Sequence, residues 1–323
     1  MKRIAVAGAG GFIGGWLVQE LLNSGTGEVY AADIKPLDEW HQISHRATNM
    51  QIDLSDIQSC RSFLEGVDEV YNLAADMGGM GFIELNKAAC MLSVLINTHM
   101  LQAAKEQAVS KFFFASSACV YRGDLQEDSR VTALREQDAY PASPEDGYGW
   151  EKLFSERMCR HFTEDFGIET RVARFHNVYG PFGTYEGGRE KAPAAICRKV
   201  AEAVISGFDK IEIWGDGEQT RSFTYISDAI YGVTNLMSSP FCEPINIGSS
   251  ELVSINQMVS IVEEIAGVKL VRNYNLTAPR GVRGRNSDNS LVKKVLNWEP
   301  SVSLYDGLTE TYAWVLKELT SRR

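Results

Sequence analysis

Tyr148 and Lys152 stand four residues apart in a stretch with helical patterning, which puts a phenol and an ammonium on one helix face. A phenol with an ordinary pKa of about 10 accepts a proton near neutrality only when a cation lies close by. Lys152 supplies one such cation, and an oxidised nicotinamide would supply a second. Ser116 and Ser117 lie about thirty residues upstream. Ser117 could hydrogen-bond a substrate oxygen while Tyr148 removes its hydroxyl proton and hydride leaves the carbon.

An acceptor for that hydride is implied at the start of the chain. Gly8-x-x-Gly11-x-x-Gly14 follows the apolar run Arg3 to Ala7 and opens the helical pattern Phe12 to Leu22. Glycines there permit a tight turn, close backbone approach to a pyrophosphate and close helix–strand packing, and the helix N-terminus faces the anion. Asp33 follows Gly14 by nineteen residues, at the end of the next strand pattern. Its carboxylate can bind both ribose hydroxyls and repels a 2′-phosphate, so NAD is expected rather than NADP, with Lys35 as the nearby counter-signal. Asp53 ends the following apolar run. It could contact the adenine, or cap a helix over Leu54 to Ser62.

The elements needed to hold these residues are legible as an alternation. Strand patterns at Arg3 to Ala7, Glu28 to Ala32, Asn49 to Ile52, Glu69 to Leu73, Lys111 to Ala115 and Thr170 to Phe175 are interleaved with helical ones. The long helices are Lys87 to Gln107 and the one starting near Tyr148. This order predicts an α/β fold with a doubly wound parallel sheet. Arg122 to Asp146 reads as a loop rich in Pro, Asp and Glu. After Gly180-Pro181 the chain is irregular and rich in Gly, Arg and Lys up to Arg221, and the last hundred residues mix strands and helices.

Composition excludes several classes of protein. Among 323 residues, 44% are hydrophobic and 23% charged, which suits a globular chain with a sizeable core. With 32 basic and 42 acidic side chains, the net charge of −10 disfavours nucleic acid or an anionic membrane surface as partner. Cys60, Cys90, Cys119, Cys159, Cys197 and Cys242 form no C-x-x-C pair and no Cys/His cluster. Neither a disulfide framework nor a metal site is expected, and a reducing cytoplasm is the matching compartment. No stretch approaches the roughly 20 apolar residues that span a bilayer.

These motifs in this order, with Asn72-Leu73-Ala74-Ala75 between them, resemble the extended short-chain dehydrogenase/reductase superfamily, whose members act mostly on nucleotide sugars. Longer strings are similar to the GDP-mannose 3,5-epimerase family within it. They run from Asn72 to Phe82, Ser116 to Tyr121, Arg174 to Ala195, Trp214 to Thr224 and Gly281 to Asn289. The resemblance spans essentially the whole chain, with one departure at Arg122-Gly123, where a proline is expected. It implies a Rossmann-type NAD domain over 1–175 and 220–248, and a smaller mixed α/β nucleotide-sugar domain over 176–219 and 249–323. It implies NAD held against Gly8, Gly11, Phe12, Ile13, Gly14, Asp33, Asp53, Leu73, Ala74, Tyr148 and Lys152. GDP-mannose is the implied substrate, contacting Gly78, Ser117, Cys119, Asn177, Glu190, Lys191, Lys199, Gln219, Arg221, Arg283 and Arg285. Lys199 and the three arginines are the candidate cations for its diphosphate.

The chemistry of such a reaction is clear. A hexose C–H is not acidic, but oxidation of C4 to a ketone acidifies both neighbouring carbons through an enolate. Inversion then needs an acid–base group on each ring face, and the resemblance assigns Cys119 and Lys191. With ordinary pKa values of about 8.5 and 10.4, both would need lowering to cycle near neutrality. The plain alternatives are a packing cysteine at a strand end and a solvated lysine in the charged stretch 187–191. His176 reads as a core or loop histidine, and Trp214 as structural. The competing functions are a GDP-4-keto-6-deoxy-mannose epimerase–reductase, a 4,6-dehydratase and a catalytically silent NAD-binding regulator. The first would carry a histidine at the Lys191 position, the second an Asp-Glu pair in place of Ala118-Cys119, and the third has no need of an intact Ser117, Tyr148 and Lys152. The two long helices suggest a homodimer through a four-helix contact.

Overall fold

In the computed structural model, residues 1–279 and 281–322 are described. The first half alternates as β1 (Arg3–Ala7), α1 (Phe12–Ser24), β2 (Glu28–Asp33), β3 (Thr48–Gln51), α2 (Ile57–Phe63) and β4 (Glu69–Asn72), then α3 (Met80–Leu85), α4 (Lys87–Glu106), β5 (Lys111–Ser117), α5 (Tyr148–Phe166) and β6 (Glu169–Phe175). All these strands pair in parallel, in the order β6-β5-β4-β1-β2-β3. The winding reverses beside β1, so the strand ends at β1 and β4 open a crevice. Both sheet faces are covered, which is why the strands are apolar throughout rather than alternating with polar residues. Ile4, Val6, Tyr71 and Phe113 point into a core shared with α1. Ala5, Ala7, Val70, Phe112 and Phe114 point into the opposite core, with Phe63 of α2 and Met100 of α4. Each fully buried phenylalanine here contributes about 1.5–3 kcal/mol relative to exposure.

The second half builds a smaller lobe and then returns. β7 (Val178–Tyr179), α6 (Ala192–Ser206), β8 (Lys210–Trp214), β9 (Thr220–Ser222) and β10 (Thr224–Tyr225) precede α7 (Ile226–Ser238) and β11 (Ile245–Ile247), which pairs with β6 as the seventh parallel strand. There follow β12 (Leu252–Ser254), α8 (Ile255–Ala266), β13 (Val271–Asn275), β14 (Gly284–Arg285), α9 (Ser290–Leu296) and α10 (Leu304–Ser321). Cys197 and Val200 of α6, Ile213 of β8, Val259 of α8 and Leu308 of α10 form a separate core. Val292 of α9 and the nearby Trp298 pack instead with α1 and α7 on the larger lobe.

One element departs from the sequence reading. The irregular stretch expected from Gly180 to Arg221 contains the four-turn helix α6, opened by Pro193 within its first two positions and closed by Gly207 at φ 68°. Its buried stripe relies on Pro193, Ala194, Cys197 and Ala201 as much as on Ile196 and Val200, so the apolar period is muted in the sequence.

Candidate active site

At the crevice, the glycine turn is as tight as the spacing implies. A Cβ on Gly14 would sit 2.1 Å from the Gly8 carbonyl oxygen, and Gly8, at φ 81°, lies against the Leu73–Ala74 backbone. No side chain caps α1 at Gly11, which leaves the first N–H groups of the helix for an anion, with Phe12 and Ile13 opening the helix. Asp33 is buried at the end of β2, and its Oδ1 accepts a hydrogen bond from the Lys35 backbone at 3.1 Å. The Lys35 ammonium is tethered 3.3 Å from the Gly10 carbonyl. A glycine cradle, an uncapped helix start and a strand-end carboxylate together fit an adenine dinucleotide. Asp53 is exposed and accepts from the Ser55 backbone at 2.8 Å. The helix cap weighed for Asp53 belongs to Asp56, which accepts from Ser59 N and starts α2 three residues later than expected.

Ser117 ends β5 and Tyr148 begins α5, and both reach the same space. The Ser117 hydroxyl accepts from Cys119 N at 3.2 Å and hydrogen-bonds the Tyr148 phenol. Lys152, one turn on, places Nζ 5.4 Å from the Tyr148 ring centroid, 4.8 Å from that of Phe114 and 3.4 Å from Glu151 Oε2. Burial drives the phenol well above its usual pKa, and charge on Cys119 and Glu151 pushes the same way. The expected lowering by Lys152 is therefore not achieved by the chain alone: burial of the phenol dominates, and Cys119 and Glu151 add to it. Below this layer, Glu156 accepts from Ser116 Oγ at 2.5 Å and from Arg174 at 2.9 and 2.7 Å, locking the end of β5 to α5.

Cys119 lies in a short turn after β5, only 6% exposed. Burial raises its thiol to about 11, with the Glu145 carboxylate adding to the shift and Arg285 opposing it. Lys191 precedes α6, and burial lowers its pKa while Cys119 and Arg285 act on it from nearby. Of the two lowered pKa values expected, only that of Lys191 is found. Desolvation and a carboxylate that sequence reading missed outweigh the cation at Cys119. The segment carrying Lys191 is held against the Ala74–Phe82 region. Gly79 N donates to the Arg189 carbonyl at 2.9 Å, Arg189 Nη1 donates to Asp76 at 2.6 Å, and its guanidinium stacks 3.7 Å from the Phe82 ring centroid. Gly78 is buried there, and a Cβ on it would lie 2.8 Å from Phe82.

The four candidate cations do not converge. Arg221 and Arg285 face each other across parallel β9 and β14, in the electrostatic field of Cys119 and Glu145. Burial, with Arg285 beside it, lowers Arg221 to about 9. Arg283 is ion-paired with Asp216 at 2.8 Å, and Lys199 donates to the Glu212 carbonyl at 2.8 Å beside Trp214. Asn177, at φ 43°, donates to the Ser222 carbonyl at 3.0 Å. Gln219 donates to the Trp214 carbonyl, while its own Oε1 and Glu190 Oε2 are buried acceptors with no hydrogen-bond partner among the described residues. Buried acceptors of this kind cost free energy unless a donor reaches them. His176 is fully buried, held by Asn246 at 3.0 Å and lowered to about 3 chiefly by burial, so it is a neutral core residue.

Comparison with known proteins places this geometry in a family. The model of the NAD dependent epimerase/dehydratase family matches residues 4–248. A GDP-mannose 3,5-epimerase 1 of Oryza sativa subsp. japonica is 46% identical, over 99% of this chain and 83% of its own. A UDP-glucuronic acid 4-epimerase from Bacillus cereus, solved with UDP-glucuronic acid and NAD, superposes with a TM-score of 0.84 at 28% identity, over 98% of this chain and 99% of its own. A UDP-glucose 4-epimerase from Thermotoga maritima, at 24% identity and a TM-score of 0.88, covers 98% of this chain and 99% of its own and shares the fold. The chain belongs to the NAD dependent epimerase/dehydratase family, and among its members it is similar over its full length to the GDP-mannose 3,5-epimerases.

Proposed function

We propose that this chain converts GDP-mannose to GDP-L-galactose, with GDP-L-gulose as the single-inversion product, by transient oxidation at C4. The observation that carries the reading is the meeting of Cys119 and Lys191 beside Ser117 and Tyr148, which sets two carbon acid–base groups against one redox centre. Near-half identity over the full length to a GDP-mannose 3,5-epimerase supports the same substrate. When bound, NAD supplies the hydride acceptor and a positive ring. The chain's own residues do the rest. Ser117 orients the C4 hydroxyl, Tyr148 takes its proton, and Lys152 holds positive charge beside the phenol. Cys119 and Lys191 then exchange protons at C5 and C3 on opposite ring faces. The return of the proton and hydride at C4 leaves no net oxidation.

The experiment is turnover of GDP-mannose in deuterated water with no added NAD. GDP-L-galactose carrying deuterium at both C3 and C5, with no NADH accumulating, is the expected product. Sugar recovered without deuterium, or NADH rising in step with product, would sink the reading.

The same proposal extends to assembly and compartment. No helix among the described residues is long and apolar enough to cross a membrane, and none of the six cysteines is disulfide-bonded, as suits a reducing cytoplasm. The paired helices α4 and α5 leave Met91, Leu92, Leu95, Trp150 and Phe154 exposed, an apolar face suited to a second copy of the chain.

A further inference from the structure

We propose that Glu145 is a positioning residue of this site: acting through Arg285, it holds the Cys119 thiol in place and tempers the cations gathered around its sulfur. The inference rests on the epimerase reading for the reaction served, though not for the geometry. Three contacts close a ring around Cys119. Glu145 N donates to the Cys119 carbonyl at 3.0 Å, the Glu145 carboxylate accepts from Arg285 Nη2, and Arg285 Nη1 lies 3.5 Å from Cys119 Sγ. Backbone and sulfur of one residue are thus gripped by the two members of one ion pair. The guanidinium cannot swing away, because its Nε donates to Gln126 Oε1 at 2.6 Å and Gln126 is anchored on the Tyr121 and Arg122 carbonyls.

The charges around the sulfur give Glu145 its electrostatic role. Arg285 from β14, Arg221 from β9 and Lys191 ahead of α6 bring positive charge, while Ser117 from β5 and Tyr148 from α5 are neutral donors. These cations favour the thiolate, and burial together with a facing carboxylate opposes them. Burial raises the thiol most, and the Glu145 carboxylate adds to that rise against Arg285.

A second observation separates it from structural ion pairs in the same chain. In the buried Arg174–Glu156 pair both carboxylate oxygens are satisfied, by Ser116 and by two guanidinium nitrogens. Glu145 Oε2 is buried with no hydrogen-bond partner among the described residues.

Two variants test this, with Cys119→Ser in each background as the blank. The thiolate ultraviolet absorbance of Cys119, taken as the difference from its blank, is followed against pH in the NAD-containing protein. Glu145→Gln keeps the shape and the bond to Arg285 but removes the charge, so the thiol midpoint should fall by about one unit or more. Glu145→Ala also releases Arg285, and exchange should drop by at least about tenfold with NAD content unchanged. Equal thiol midpoints in parent and Glu145→Gln, or parent-rate exchange in Glu145→Ala, would overturn the proposal. A parent protein that exchanges no deuterium into GDP-mannose would instead overturn the epimerase reading, and the thiol titration would still decide the role of Glu145.

Discussion

Tyr148 and the Cys119–Lys191 pair do different work, so their variants should fail differently. Tyr148→Phe removes the acceptor of the C4 proton and leaves the ring that packs beside Cys90 and Cys119. Without a ketone neither C3–H nor C5–H is acidic, so deuterium incorporation at both carbons should vanish together. Persistent exchange at C5 in this variant would refute the C4 mechanism. Cys119→Ala and Lys191→Ala should instead keep C4 hydride transfer, seen as transient reduction of the bound cofactor, while epimerisation drops by roughly a hundred- to ten-thousand-fold. The pH dependence follows from their environments. Burial lowers Lys191, so its amine form persists to lower pH than in solution, and exchange that needs the amine should decline as pH falls through that lowered value. Cys119, raised to about 11, stays a thiol throughout that range, so no second limb should come from it. A Lys191→Ala variant that keeps the parent's acid limb would show that another group sets it. The fingerprint glycines, Asp33, Ser117, Tyr148 and Lys152 were legible because local spacing defines their geometry. Glu145 was not, for it sits in a Pro- and Asp-rich loop and acquires its partner Arg285 only when strand β14 is brought across the cleft.

The segment from Gly187 to Lys191 is positioned by contacts rather than by an element of its own. Gly187 and Gly188 have φ of 84° and 82°, conformations glycine adopts without strain, and added Cβ atoms would meet nothing within 4 Å. They contribute no packing of their own, so the Arg189–Asp76 pair, the Phe82 stacking and the bond from Gly79 hold the segment that carries Lys191. Arg189→Ala should therefore lower deuterium exchange by roughly a hundredfold, as expected when a reacting group is misplaced by about 1 Å. NAD content and the Tyr148-dependent hydride step should be unaffected. Exchange at the parent rate would show that the backbone contacts suffice. The parallel strands and their helices were readable because both faces of the sheet are buried and apolar runs mark them directly. Helix α6 escaped because its buried stripe is made largely of alanine, cysteine and proline, and because the glycine- and charge-rich stretch before it reads as continuous loop. Lys191 stands immediately before its first residue, with no side-chain hydrogen bond to the helix start.

At the scale of the whole molecule, the unsettled surface is the outer face of α4 and α5. These helices pack on each other and turn Cys90, Met100, Leu101, Leu153 and Cys159 inward. The opposite side carries Leu92 at 62% exposure and Phe154 at 55%, with Met91, Leu95 and Trp150 alongside. Scattered apolar side chains are ordinary on a surface, but five on two adjacent helices make a contiguous stripe that water covers at a cost of about 25 cal/mol per Å². A two-fold contact would lay the same stripe of a second copy against it, giving four helices with both stripes buried. Tyr148 and Lys152 lie on the inner side of α5, so the contact would brace the redox helix without covering the cleft. We expect a dimer mass in solution scattering for the parent protein. Leu92→Glu combined with Phe154→Glu would place four carboxylates in the contact and should give a monomer of half that mass. Each change lies on the solvent side of its helix, so far-ultraviolet circular dichroism should be unchanged, and the thermal midpoint should fall and lose its dependence on protein concentration. A parent protein that already scatters as a monomer would end the dimer proposal. A double variant that stays dimeric would move the contact to another face.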